Sequence, residues 1–237
     1  MVHLHPTAVV SSDAVIADDV VIGPYAVVHP HVRLARGVRV DAHAVLGGDP
    51  QDLSFAGGVT WLEVGPDTVI REAVIVHRAT VPDTPTRIGA ACLIMGQVHV
   101  GHDAQVGDRV VVAQHTVLAG HVSVGPDAVI GGMSAVHQHV RIGRRAMVGG
   151  FAKVTRDVLP FCAVDGNPAT HRALNAVGLR RAGVSAEDRR VLRQAYNRLR
   201  DGRPVDDRAG LAGQLAEFLG MPSRRGISAF NRVRESA

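Results

Sequence analysis

From residue 88 to 159 the chain keeps one apolar period, with an aliphatic residue at every sixth position: Ile88, Ile94, Val100, Val106, Val112, Leu118, Val124, Ile130, Val136, Ile142, Val148 and Val154. Four residues into each hexad runs a second row of small or β-branched side chains, from Cys92, Val98 and Ala104 through Thr116 and Ser134 to Ala152 and Val158. An amphipathic helix needs apolar residues three and four apart, and a hairpin meander needs alternation broken by turn dipeptides. Neither fits. β-Branched side chains suit a pleated, half-buried surface, so each hexad reads as one flat side of a coil. Three such sides close a triangular turn of eighteen residues, and successive turns lie about 4.8 Å apart, the spacing of hydrogen-bonded strands. The pattern predicts a mainly β fold, a parallel β-helix in which residues eighteen apart in sequence are neighbours in space. Glycine often follows the anchor residue, as at Gly89, Gly101, Gly107 and Gly125, where it is expected to supply the backbone angles of a tight corner. The period does not set the hand of the coil, although crossovers between parallel strands are usually right-handed.

The same period runs earlier through Ile16, Ile22, Val28, Leu34, Val40 and Leu46, and resumes at Val64, Ile70 and Val76. Between these runs, Gly47 to Glu63 is too polar and glycine-rich to be strand and is expected to leave the coil as a loop, with a smaller break from Pro82 to Arg87. Such excursions from a rigid scaffold are where binding groups often sit. The repeat stops at Pro160 and the spacing becomes helical. Short helices are expected over Ala173 to Ala182 and after Ser185, whose S-x-x-D signature reads as an N-cap, with a third over Arg208 to Leu219. The plan is a β-helix over 1–165 and a helical region over 166–237.

Composition adds limits. A chain of 237 residues has room for one large domain and a small appendage, and an aromatic content of only 3 % fits a slender coil filled by Val, Ile, Leu and Ala. The cysteines, Cys92 and Cys162, have no paired spacing, which fits a reducing, cytoplasmic setting. No apolar run is long enough to span a membrane, and no leader-like segment is visible. Net charge is +4, but arginines crowd the stretch from Arg172 to Arg234. With no aromatic interleaving or nucleic-acid motif beside them, an acidic protein is the expected partner rather than nucleic acid. A lone prism also leaves flat aliphatic sides, which side-by-side association into a closed trimer would cover; a dimer remains open.

Histidine is unusually frequent, at 13 residues, and several fall within one stretch: His99, His102, His115, His121, His137 and His139. Read in steps of eighteen, Asp103, His121 and His139 form a column, and Gly120 lies on the coil next to His102. A histidine can take a proton from a hydroxyl near neutral pH, and a glycine leaves its N–H open to an oxyanion. A base beside an open amide donor is an arrangement for acyl transfer.

The runs MGQVHVGHD (95–103), LAGHVSVG (118–125), IGGMSAVHQ (130–138) and GNPAT (166–170), with IGPYAVV (22–28), PQDLSFAG (50–57) and REAVIVHRAT (71–80), resemble the UDP-N-acetylglucosamine acyltransferase family that starts lipid A synthesis. The resemblance spans nearly the whole chain. It implies a left-handed β-helix with a helical C-terminal region, assembled as a homotrimer with sites between subunits. It also implies transfer of a 3-hydroxyacyl group from acyl carrier protein to the 3-hydroxyl of the nucleotide sugar. The acyl donor itself brings the phosphopantetheine, so neither a metal nor a separate cofactor is implied. By the same resemblance His102 is the general base, Asp103 its orienting carboxylate and the Gly120 N–H the oxyanion donor. Asp52, His99, His121, His137 and Gln138 match groups around the sugar and acyl chain, Asn175 and Arg181 match groups that hold the uridine and phosphates, and Gly150 matches the floor of the acyl groove.

Three features depart from the family pattern. Ser54 replaces the usual lysine after Q-D-L, Val177 stands where an acidic residue is common, and the N-terminal region looks about one coil short. N-acyl transfer to a 3-amino analogue of the sugar therefore stays open, as does a sugar N-acetyltransferase. From other classes, His99, His102 and His121 could hold zinc as in γ-type carbonic anhydrases, and a non-catalytic scaffold would have no use for His102.

Overall fold

A computed structural model describes residues 2–205 and 209–231. Strands of mostly two residues stack into three sheets of ten, eight and seven strands, one for each side of a prism and parallel throughout except for the last strand of the ten. The eighteen-residue spacing appears as backbone register: Leu93 pairs with Val111, Val111 with Val129, and Val129 with Met147. Two turns of the coil are longer. Val45 meets Ile75, thirty residues on, so twelve residues leave the coil between the strands Val45–Gly48 and Leu62–Val64. Ile75 in turn meets His99, twenty-four on, so six leave it before Thr86–Ile88. Both excursions fall where the period breaks.

Both sequence rows point inward. The anchors Ile88, Ile94, Val100, Val112, Leu118 and Ile130 are fully buried, as are Val110, Val122, Ala128 and Val140 of the second row. The two buried hydroxyls of that row are satisfied by carbonyls of the next coil, Thr116 Oγ1 donating to Gly131 O at 3.0 Å and Ser134 Oγ to Gly149 O at 2.8 Å. The glycines after the anchors serve a different purpose from the one expected. Left-handed backbone occurs instead three residues after the anchor, at Asp103 (φ 60°), His121 (φ 58°) and His139 (φ 65°). At Gly101 the constraint is space, because a Cβ there would lie 2.6 Å from the backbone nitrogen of Gly120 on the next coil.

Past the prism, the strand Cys162–Asp165 pairs with Met147–Val148 and turns back antiparallel to Thr170–Leu174. Ala173 and Leu174, expected to open a helix, thus belong to this last strand. Sheet pairing with Cys162 and Ala163 takes up their backbone groups. Three helices follow: α1 (Ala176–Arg181), α2 (Ala186–Arg200) and α3 (Gly210–Gly220). Ser185 caps α2, its Oγ accepting the Asp188 N–H at 3.0 Å. Arg208, placed in the third helix by the sequence, and residues 232–237 lie outside the described residues. A second core of Leu159, Cys162, Ala195, Tyr196, Ala212 and Leu215 joins the helices to the end of the prism. Among the described residues no helix is long and apolar enough to cross a membrane.

His171 locks this junction. It is fully buried; its Nε2 accepts the Leu159 N–H at 3.0 Å, so Nδ1 carries the proton and donates to Ser228 O at 3.0 Å. Burial lowers its pKa from 6.5 to about 4. The folded state resists protonation while the unfolded chain accepts it, so this stability is complete above pH 6.5 and lost as pH falls towards 4. The difference is worth about 3 kcal/mol at most. Urea unfolding across that window should show a steeper acid loss in the wild type than in His171→Gln; parallel curves would contradict the assignment.

Candidate active site

His102 and Asp103 sit at one edge of the prism, in the corner between the strands His99–Val100 and Gln105–Val106. Both are buried. Asp103 Oδ2 accepts from His102 Nδ1 at 2.7 Å and from Thr80 Oγ1 at 2.8 Å, while Oδ1 accepts the Thr80 N–H at 2.9 Å. The Asp103 N–H donates to Thr86 Oγ1 at 2.8 Å. An ionised carboxylate only accepts, so Nδ1 of His102 carries the proton and Nε2 holds the lone pair. That lone pair faces Gly120: a Cβ added there would lie 2.6 Å from both Nε2 and Cε1. Among the described residues the Gly120 N–H has no carbonyl or side-chain partner.

The predicted column is present. His121 meets the His102 ring edge-on, centroids 5.1 Å apart, and His139 stacks on His121 at 4.6 Å. His121 Nε2 stands 3.6 Å from Asp103 Oδ2, too long for a hydrogen bond. Burial holds the His121 pKa below the usual histidine value in spite of Asp103, so the contact is not an ion pair at neutral pH. Burial, then the neighbouring His77 and His102, lower His99 in the same way. On the loop opposite, Asp52 Oδ1 accepts from both the N–H and the hydroxyl of Ser54, at 2.8 and 2.7 Å. These bonds hold the Asp52 carboxyl below its ordinary range.

Asp52, His99, His102, Gly120 and Gln138 line one cleft of about 480 Å³, together with Gln51, Leu53, His77 and Val117. At its rim Arg225 donates to His137 Nδ1 at 2.7 Å and to Gln138 O at 2.8 Å, and Arg224 reaches His139 Nε2 at 3.4 Å. Gly150 lies on the corner beneath Gly132, where a Cβ would touch only the Gly132 carbonyl, at 3.4 Å. Asn175 and Arg181 are not in the cleft. Asn175 caps α1 through the Gly178 N–H at 3.0 Å and donates to Arg145 O at 2.9 Å, at a different edge of the prism, and Arg181 closes the same helix. The metal-compatible donors that come together among the described residues are Asp52, His102 and His121, within 4.8 Å of one another, with Asp52 in place of His99.

Sequence reasoning missed Thr80, Thr86 and Arg225. Thr80 and Thr86 bracket the six-residue excursion, and Arg225 arrives from the far end of the chain, so the eighteen-residue rule reaches none of them.

The coil and its corner define a class, the hexapeptide-repeat transferases: residues 2–48 and 85–120 match the family described as bacterial transferase hexapeptide (six repeats). Residues 157–231 match UDP-N-acetylglucosamine O-acyltransferase, domain 2. The solved structure of LpxA from Acinetobacter baumannii is 33% identical, covers 95% of this chain and is itself covered to 99%, with a TM-score of 0.81. UDP-N-acetylglucosamine O-acyltransferase from Moraxella catarrhalis is 36% identical over the same shares, with a TM-score of 0.80. The acyl-[acyl-carrier-protein]–UDP-N-acetylglucosamine O-acyltransferase of Synechocystis sp. is 44% identical over 163 residues, 69% of this chain and 59% of that protein. The chain thus spans less than two thirds of the length of the curated relatives it matches, between 58% and 61%. It belongs to the UDP-N-acetylglucosamine O-acyltransferase family, and the coil is left-handed as in that family.

Because a side chain on residue 120 would enter the space of the His102 ring, Gly120→Ala should fold with a near-normal melting temperature yet lose about 10²-fold or more in kcat. Wild-type turnover in this variant would show that the imidazole has room elsewhere.

Proposed function

We propose that the chain moves a 3-hydroxyacyl group from acyl carrier protein to the 3-hydroxyl of UDP-N-acetylglucosamine, the first step of lipid A biosynthesis. One observation carries this reading: the His102 Nε2 lone pair lies beside a Gly120 N–H that has no partner among the described residues, with Asp103 fixed behind the ring. His102 takes the proton as the sugar oxygen attacks the thioester carbonyl. The new C–O bond forms, and the tetrahedral oxyanion rests on the Gly120 N–H. Collapse breaks the C–S bond, and the proton on Nε2 leaves with the phosphopantetheine thiol. General-base catalysis supplies about 10²–10⁴ in rate and one oxyanion donor about 10²–10³. No enzyme nucleophile is required, and the cysteines are poor candidates because burial raises both thiol pKa values.

Asp52, His99, His121, His137 and Gln138 surround the sugar and the start of the acyl chain in this reading, and Gly150 floors the groove beyond them. Asn175 and Arg181 stand at another prism edge, so they reach the nucleotide only if a neighbouring copy presents them. This supports a homotrimer with composite sites. The acidic carrier protein docks on the arginines of the helical region by salt-sensitive steering, in the cytoplasm where acyl carrier protein is found.

Ser54 favours a second reading on one point. With serine in place of the family lysine, the loop offers no cation, and Ser54 is spent on Asp52. A 3-amino acceptor, giving an amide, would use the same base and amide donor.

Purified protein with a panel of acyl carrier protein thioesters and both UDP-sugars, read by mass spectrometry, separates ester from amide products; no acylated sugar of either kind would refute the reading. His102→Ala should lower transfer by at least about 10²-fold with the melting temperature nearly unchanged, and retention of more than a hundredth of the activity would remove it as the base. Gly150→Met should shift preference to shorter acyl chains, whereas an unchanged profile would place Gly150 outside the groove.

A further inference from the structure

Three ligand-type side chains from two separate parts of the chain converge at the mouth of the cleft: the Asp52 carboxylate from the long excursion, and the His102 and His121 imidazoles from successive coils. We propose that this corner is also a zinc-binding site, and that an ion held there blocks the base.

The chemistry of each donor favours it. His102 presents Nε2 to the cleft, while its Nδ1–H is held by Asp103 at 2.7 Å. A carboxylate behind an imidazole is the arrangement that orients metal-bound histidines and raises their basicity. The His121 side chain makes no hydrogen bond among the described residues, its Nε2 standing 3.6 Å from Asp103 Oδ2, so a ring nitrogen is available to a cation. Asp52 is ionised, and Ser54 occupies only Oδ1, leaving Oδ2 for a ligand.

Two nitrogens and one oxygen suit a borderline-soft ion such as zinc and leave a fourth position for water, whereas magnesium and calcium prefer oxygen sets. On one tetrahedral zinc, donor atoms stand about 3.3 Å apart, given bonds of about 2.0–2.1 Å. The group must therefore close up from 4.8 Å. Asp52 can make that move, since its excursion is largely exposed and carries Gly57 and Gly58 in left-handed conformations with nothing packed where their side chains would be.

Binding does not depend on the acyl-transfer reading; inhibition does. A lone pair on Nε2 cannot both ligate zinc and accept the sugar proton, so zinc should compete with the acceptor and be reversed by a chelator.

The test is isothermal titration of the purified full chain with Zn²⁺, with no acyl substrate present, and Mg²⁺ as control. One zinc per chain is expected, with no Mg²⁺ uptake. His102→Ala and His121→Ala should abolish it, Asp52→Asn should weaken it at least tenfold, and Asp103→Asn should weaken it by about 10–100-fold. Circular dichroism melting of each variant separates loss of the site from loss of the fold, and the half-buried Asp52 on its loop keeps the test alive if a buried histidine is not tolerated. No stoichiometric zinc, or uptake unchanged by the His102 or Asp52 substitution, would overturn the site. Stoichiometric zinc without loss of transfer would overturn the block on the base, leaving acyl transfer itself to be judged by its own products.

Discussion

Everything in this molecule depends on the parallel backbone ladder between coils. Each coil donates and accepts with the coil above and below in a fixed register, as in Val117 N–H to Ser134 O at 2.9 Å or Gln105 N–H to Val122 O at 2.8 Å. A slip of one residue would turn every inward side chain to solvent, and the two buried rows of aliphatic residues prevent it. The ladder therefore acts as a ruler. It sets His102 against Gly120 and His121 near Asp103 with no contribution from the loops.

What the ladder cannot do is choose the state of the histidine. That falls to the short excursion. The chain leaves the coil between the strands Ile75–His77 and Thr86–Ile88, and Thr80 and Thr86, on either side of the excursion, grip the carboxylate and the amide of Asp103. Asp103 in turn decides which ring nitrogen of His102 is protonated. The scaffold gives distance, and the excursion gives tautomer. The long excursion adds Asp52 on the opposite wall, and the last described residues bring Arg224 and Arg225 to the rim. Three distant parts of the chain thus meet over one corner of a repetitive coil.

The coil was legible because its physics is one-dimensional. A hexad period and an eighteen-residue turn locate any residue inside the repeat, so His102, Gly120, His121 and His139 could be placed from spacing alone. Residues outside the repeat escaped that arithmetic. Thr80 was visible only as part of a family-like run, and Arg225 lies 87 residues from the carbonyl it binds. The corner glycines were found but misread, since Gly101 answers to crowding by Gly120 and not to backbone angle. Ala173 and Leu174 were misassigned because a short apolar stretch reads equally well as helix or strand until a partner strand claims it. The hand of the coil, with no signature in the period, came from the family.

The most direct test of the central claim is the nitrogen-15 spectrum of the His102 imidazole, assigned by its loss in His102→Gln. The expected result is a protonated Nδ1 and an unprotonated Nε2 in the wild type, with that preference weakened in Asp103→Asn. A wild-type His102 protonated on Nε2 would contradict it, because no lone pair would then face the Gly120 amide and the corner could not take a proton from an acceptor hydroxyl.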